Sequence, residues 1–172
     1  ETPLIGIEPS AILTFKDEYP RLVHPHQRED AVRISKNCML FEEFLYNEFS
    51  AGRISQDKFT SENKTIKLHG HCHQKSLSSV DFSAWALQLP KNYMVEIIPS
   101  GCCGMAGSFG YEVEHYDVSM KVGELVLFPA IRSACKNTVI AAPGTSCRHQ
   151  IKDGTSKSAY HPAEILFDAL VL

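Results

Sequence analysis

Short apolar runs that stop at glycine, proline, histidine or cysteine alternate along this chain with stretches whose apolar residues recur every three or four positions. The first kind of pattern predicts buried strands and the second predicts amphipathic helices. Leu4 to Ile7 is a strand candidate closing in Glu8-Pro9-Ser10, where proline stops the strand and Ser10 can cap a short helix through Leu13. Residues 17–27, with Pro20 and Pro25, read as loop. Ile34, Cys38, Phe41, Leu45 and Phe49 then fall on one helical face, predicting a single helix from Arg28 to Phe49 that stops at Gly52.

The pattern repeats downstream. Lys64 to Leu68 predicts a strand running into His-Gly-His-Cys-His (69–73), and Val80 to Leu89 a helix stopped by Pro90. Met94 to Ile98 predicts a strand running into Ser-Gly-Cys-Cys-Gly (100–104), followed by a glycine-rich loop and helical spacing from Val113 to Leu127, with a further turn from Pro129 to Cys135. Thr138 to Ala142 predicts a strand running into Gly-Thr-Ser-Cys-Arg-His-Gln (144–150); a short strand, Ser158 to Tyr160, and a helix, Ala163 to Leu170, complete the order. Short strands alternating with helices define an α/β fold: a parallel sheet with helices on both faces, in Rossmann-like layers. Runs such as Met-Val-Glu-Ile-Ile, without strict alternation, suit strands covered on both sides. Sheets of this kind bind ligands beyond the carboxyl ends of their strands, which is where the site is expected. A faint repeat relates Ile5–Ala11 to Ile140–Cys147: strand, proline, small hydroxyl residues, then alanine in one copy and cysteine in the other.

Size and charge narrow the picture. The chain of 172 residues is one domain by length, with 44% hydrophobic and 22% charged residues. Its net charge of −3 and scattered lysines and arginines argue against nucleic acid. No apolar stretch approaches the roughly 20 residues of a membrane span; a cytoplasmic protein is expected, with membrane association left to its partners. The opening Glu-Thr-Pro-Leu-Ile-Gly-Ile reads as the interior of a longer chain. Six cysteines would allow disulfides, but the adjacency of Cys102 and Cys103 and the ample size favour reduced thiols used as ligands or redox groups.

Cys72, Cys102, Cys103 and Cys147 therefore form the strongest chemical candidate. All four follow strand candidates, and the gaps of 29 residues between Cys72 and Cys102 and 43 between Cys103 and Cys147 each hold a helix and a return strand. Closely gathered thiolates repel unless a cation or protons sit among them, so a metal is expected there. Iron–sulfur and tetrahedral zinc centres both suit such donors. His71, His73 and His149 flank the cysteines as ligands or as groups tuning them, and His161 can look into the same edge. His69 is expected to pack or point away, His24, His26 and His115 to be solvated, and Cys38 and Cys135 to be core thiols on helices. The Gly101–Gly110 loop matches neither a dinucleotide fingerprint nor a Walker loop; its glycines suit close backbone approach around adjacent ligands. A hydrolase using Cys147 with His149 or His161 lacks an evident acid partner.

Cys-Cys-Gly (102–104), with His-Cys-His-Gln-Lys (71–75) upstream and Thr-Ser-Cys-Arg-His-Gln (145–150) downstream, resembles the cysteine-rich CCG domain of heterodisulfide reductase B-subunits and of glycolate and glycerol-3-phosphate dehydrogenase iron–sulfur subunits. Gly-Ile-Glu-Pro-Ser (6–10), Lys-Asp-Glu-Tyr-Pro (16–20) and Cys-Cys-Gly-Met-Ala-Gly-Ser-Phe-Gly-Tyr-Glu (102–112) resemble most the C-terminal part of fused FAD-linked iron–sulfur oxidoreductases acting on D-2-hydroxy acids. The resemblance implies one CCG-type domain over residues 1–172, with 1–11 the tail of a first repeat and 64–172 the second. It implies a redox or electron-transfer role beside flavin and ferredoxin-like domains of the same protein, which would carry FAD and further iron–sulfur clusters. Ala11 and Gln150 stand where the family's pattern has cysteines. A zinc-binding or metal-free docking domain is the alternative reading.

Overall fold

In the computed structural model, residues 2–171 are described. The chain opens with β1 (Leu4–Gly6), α1 (Pro9–Asp17), α2 (Tyr19–Leu22), α3 (Arg28–Asn37), β2 (Cys38–Leu40) and α4 (Phe41–Ser50). It continues through β3 (Lys64–Leu68), α5 (Cys72–Leu77), α6 (Val80–Ala86), β4 (Tyr93–Ile97), α7 (Tyr116–Leu125), α8 (Leu127–Arg132), β5 (Val139–Ala141), α9 (Thr145–Thr155) and α10 (Pro162–Phe167). The fold is α/β with parallel pairing, as the sequence predicts. It is divided into two small sheets, β1-β2 and β4-β3-β5.

β3 coincides with the predicted Lys64–Leu68 strand. It lies between β4 and β5, with Leu68 opposite Ile97 on one side and Ala141 on the other. Alternate residues then serve opposite faces. Ile140 and Ala142 pack with Leu127, Phe128, Ile131 and Ile151 of α8 and α9, whereas Ile66, Leu68 and Ala141 pack with Leu87 and Ile165 on the side of α6 and α10. Tyr160 extends this sheet through a parallel bridge to Ala141. The Ile5/Ile140 repeat has a topological counterpart: β1 and β5 each run into a helix and then pair with a later extended segment that leads into another helix.

Three differences from the sequence reading have physical causes. The predicted 28–49 helix is interrupted at Cys38–Leu40, which pairs with Leu4–Gly6 and supplies the buried centre of a small core with Ile12 and Leu13. Apolar spacing of three and four carries across that break, so periodicity alone cannot reveal it; pairing with β1 decides it. Cys38 is a core thiol, as expected, but on a strand. Cys135 is exposed instead of buried, because α8 ends at Arg132 and leaves it in the following turn. At the start of α1 the capping side chain is Glu8, which accepts from the Ser10 backbone N–H, and the helix runs on to Asp17.

One polar cluster lies inside the helical layer. Glu42 of α4 is fully buried and accepts from Ser83 Oγ (3.2 Å), which in turn accepts from Gln74 Nε2 (2.9 Å). Glu42 Oε2 and Gln74 Oε1 have no partner among the described residues. Burial pushes the Glu42 carboxyl above its ordinary value, against the hydrogen bonds from its own backbone and from Ser83. The folded state therefore keeps a proton that the unfolded chain releases, and stability falls as pH rises from the unfolded value of about 4.3 through the raised folded value. Glu42→Gln is expected to be more stable than the parent above that window and to lose the pH dependence across it. Urea melts at several pH values check this; parallel profiles for the two proteins would assign the burial penalty elsewhere.

Candidate thiol and metal centre

Parallel register carries three chain segments to one edge. Beyond Leu68, the His69 backbone N–H still donates to Ala141 O (2.9 Å), and the Ile98 N–H to Leu68 O (2.8 Å). The segments after β3, β4 and β5 therefore leave the sheet side by side, and each brings cysteine. Cys72 is the first residue of α5, Cys102 and Cys103 follow β4, and Cys147 lies in the first turn of α9.

A cavity of about 350 Å³ opens over them, lined by Cys72, Cys102, Cys103, His71, Tyr111 and His149 among others. Cys72 is exposed, Cys102 half-buried, and Cys103 and Cys147 are buried, so the sulfurs grade from solvent into the core. They share protons. Cys72 and Cys103 are pushed up because each hydrogen-bonds to the Cys102 sulfur, and burial adds to the effect. Cys102 is pushed well down by those two thiols, against burial, with further help from the Gly104 N–H, 3.3 Å from its sulfur. Cys147 falls to about 5, chiefly through the Cys103 thiol and against burial. Such a group titrates as a unit and holds negative charge at neutral pH.

Several residues to which the sequence reading gives no role at the site fix the thiol-bearing segments in place. The Lys75 ammonium, on α5, donates to the Ser100 and Gly101 carbonyls, clamping the Cys102–Cys103 loop from the adjacent strand exit. Burial lowers its pKa, while the four neighbouring sulfurs oppose the loss of its charge. Gln74 ties the same helix inward through Ser83 and the Ser79 carbonyl. At the other side Glu8 accepts from both Thr145 N and Thr145 Oγ1 at 2.8 Å, joining the start of α1 to the start of α9. Burial raises the Glu8 carboxyl, but these bonds and those from Ser10 hold it below the ordinary value overall. Arg148 donates to the Ala142 and Pro143 carbonyls and to Thr145 Oγ1, fixing the same turn. Two glycines are forced. Gly104 has φ +104°, and a side chain there would strike the Ser119 carbonyl, while one at Gly144 would strike the His71 ring.

The histidines separate into distinct positions. His71 caps α5 through Nδ1 and lines the cavity; His73 meets it through its backbone N–H. His149 sits 2.7 Å from the Tyr111 hydroxyl and lines both this cavity and a neighbouring one of about 560 Å³. His161 lies in the wall of that second cavity with both ring nitrogens engaged, Nε2 with Ile7 O (2.8 Å) and Nδ1 with the Ala163 N–H. His69, expected to pack or to point away, is fully buried at the end of the central strand. One of its ring nitrogens lies within 4.8 Å of the Cys103 and Cys147 sulfurs, so it faces the cluster. Its place beside Leu68 on the central strand was the available signal. Gln150 donates to Ser119 O and Oγ, and Ala11 is exposed on α1.

The fold and these donors define an α/β domain carrying a thiol-rich centre at its parallel-strand ends. Known proteins similar to the chain include dehydrogenases. The chain is 27% identical over 170 residues to D-2-hydroxyglutarate dehydrogenase of Escherichia coli (strain K12), covering 98% of this chain and 16% of that protein. It is 25% identical over 169 residues to the protein of the same name from Pantoea ananatis, again covering 98% and 16%. To one of the subunits of the anaerobic glycerol-3-phosphate dehydrogenase of Escherichia coli (strain K12) it is 26% identical over 175 residues, covering 98% and 40%. The chain thus spans about a sixth of the D-2-hydroxyglutarate dehydrogenases it matches. No protein-family model matches the chain, and no solved structure matches it. Similarity over nearly its whole length to these enzymes supports an oxidoreductase-associated domain.

Brief alkylation of reduced, metal-free protein is expected to label Cys135, Cys72 and Cys102 ahead of Cys38, Cys103 and Cys147, as read by peptide mass spectrometry. Modification of Cys147 before Cys72 would contradict the burial gradient.

Proposed function

We propose that this chain is the redox-supporting, electron-handling domain of an FAD-linked iron–sulfur oxidoreductase of the 2-hydroxy-acid dehydrogenase type. The observation that carries the reading is the meeting of four sulfurs from three strand exits, three of them lining one cavity and Cys147 buried behind Cys103, in a chain similar throughout to dehydrogenases. Cys72, Cys102, Cys103 and Cys147 are its metal or redox centre, and His71, His73 and His149 adjust the charge and access around it. Thiolate donors of this kind suit an iron–sulfur cluster or zinc; a cluster would supply one-electron transfer. His161 braces the α9–α10 side of the site through Ile7. FAD and further clusters belong to flavin and ferredoxin-like parts of the same protein, since no Cys-x-x-Cys-x-x-Cys run occurs in these 172 residues.

A second reading, a metal-binding docking domain without electron transfer, has its own support. Gln150 is committed to Ser119, and Ala11 offers no donor, so the two positions where the resembling family has further cysteines add nothing to the cavity. Anaerobically purified protein is expected to contain iron and to show a charge-transfer absorbance that Cys102→Ser or Cys103→Ser abolishes. Zinc without any redox change would favour the docking domain. Colourless, metal-free protein with intact folding would defeat both.

A further inference from the structure

We infer that the inner half of the thiol cluster is a single-ion site for zinc(II), in which His69 Nε2, Cys103 Sγ and Cys147 Sγ are the protein ligands and the remaining position faces Cys102 and the cavity. The inference rests on the second reading above, the cluster as the metal centre of a docking domain, and deepens it by naming the ion and a nitrogen ligand.

The first support is spacing. A ring nitrogen of His69 and the two sulfurs all lie within 4.8 Å of one another. With Zn–S bonds of about 2.3 Å, two sulfurs on one ion lie at most ~4.6 Å apart, so small side-chain rotations bring all three donors onto one ion. A multi-iron cluster puts several irons and bridging sulfides between its outer sulfurs and needs them spread wider.

The second support is the tautomer of His69. Its Nδ1 lies 2.7 Å from Ser100 Oγ, and the Ser100 hydroxyl is itself directed to Ile98 O at 3.5 Å. In the tautomer that donates Nδ1–H to Ser100 Oγ, the Nε2 lone pair is free for an ion. Nε2 is fully buried and has no hydrogen-bond partner among the described residues. A buried acceptor without a donor is destabilising unless something else satisfies it, and a metal ion does so. A histidine whose second nitrogen is fixed by an outer hydrogen bond is the usual arrangement of a metal ligand.

Charge balance points the same way. All three ligand residues are buried. Two thiolates neutralise a divalent cation, and a neutral imidazole completes the set without adding charge, so the buried assembly carries none. Binding releases the Cys103 thiol proton to solvent, Cys147 already being a thiolate. Cys102 and Cys72, nearer the cavity mouth, keep their reactivity.

Anaerobic titration of reduced, metal-free protein with zinc(II), and with cobalt(II) as a spectroscopic probe, tests the site. One equivalent is expected to bind, to protect Cys103 and Cys147 from alkylation, and to give tetrahedral cobalt bands with thiolate charge transfer. His69→Gln is expected to lose stoichiometric binding. Should that variant fail to fold, Ser100→Ala decides: a weakening of about 10–100-fold with altered cobalt bands and unchanged circular dichroism supports the site. Unchanged affinity and spectrum in Ser100→Ala, or in folded His69→Gln, would overturn it. A centre with several irons and inorganic sulfide, indifferent to both substitutions, would overturn the single ion yet leave the proposed redox domain standing. Failure to take up any metal would remove both.

Discussion

The parallel registration of β3 between β4 and β5 is the constraint on which the site depends. Its hydrogen-bond ladder continues one residue past the central strand, through His69 N to Ala141 O, so three segments far apart in sequence leave the sheet abreast. Each exit turns directly into a short loop or a helix start, and these are the places that carry cysteine. Moving one strand by a residue would invert its side chains and take its thiol out of the group.

Gathering sulfurs in a half-buried place creates an electrostatic demand, and much of the surrounding structure answers it. Thiols donate to thiolates, the Gly104 N–H points at Cys102, and the Lys75 ammonium sits across the same loop. Helix α5 is held at both sides, by Lys75 to the 100–101 carbonyls and by Gln74 to the buried Ser83–Glu42 pair. Helix α9 is held by Glu8 and Arg148 at its first turn. The thiols are thus carried on anchored elements, which preorganised coordination of an ion would require.

Several residues in the cysteine segments take their meaning from this anchoring. In His-Cys-His-Gln-Lys, Cys72 faces the cavity, Gln74 faces inward and Lys75 reaches the next strand exit. In Cys-Cys-Gly, the glycine lets α7 approach. Gln150 closes that contact from behind and does not look into the cavity.

The sequence by itself determined the α/β class, the β3 strand residue for residue, and the attachment of Cys72, Cys102, Cys103 and Cys147 to strand ends. These are local matters: apolar runs and the residues that stop them report burial within a few positions. Only the tertiary structure decided that Cys38 lies on a strand, because a three-residue strand exists through its pairing with β1 and leaves no period of its own. Only it exposed Cys135, turned the His69 ring toward two sulfurs and gave Glu8, Lys75 and Ser100 their partners. Those contacts join residues separated by 25 to 137 positions, and which side chains meet at such distances is set by how the strands and helices pack.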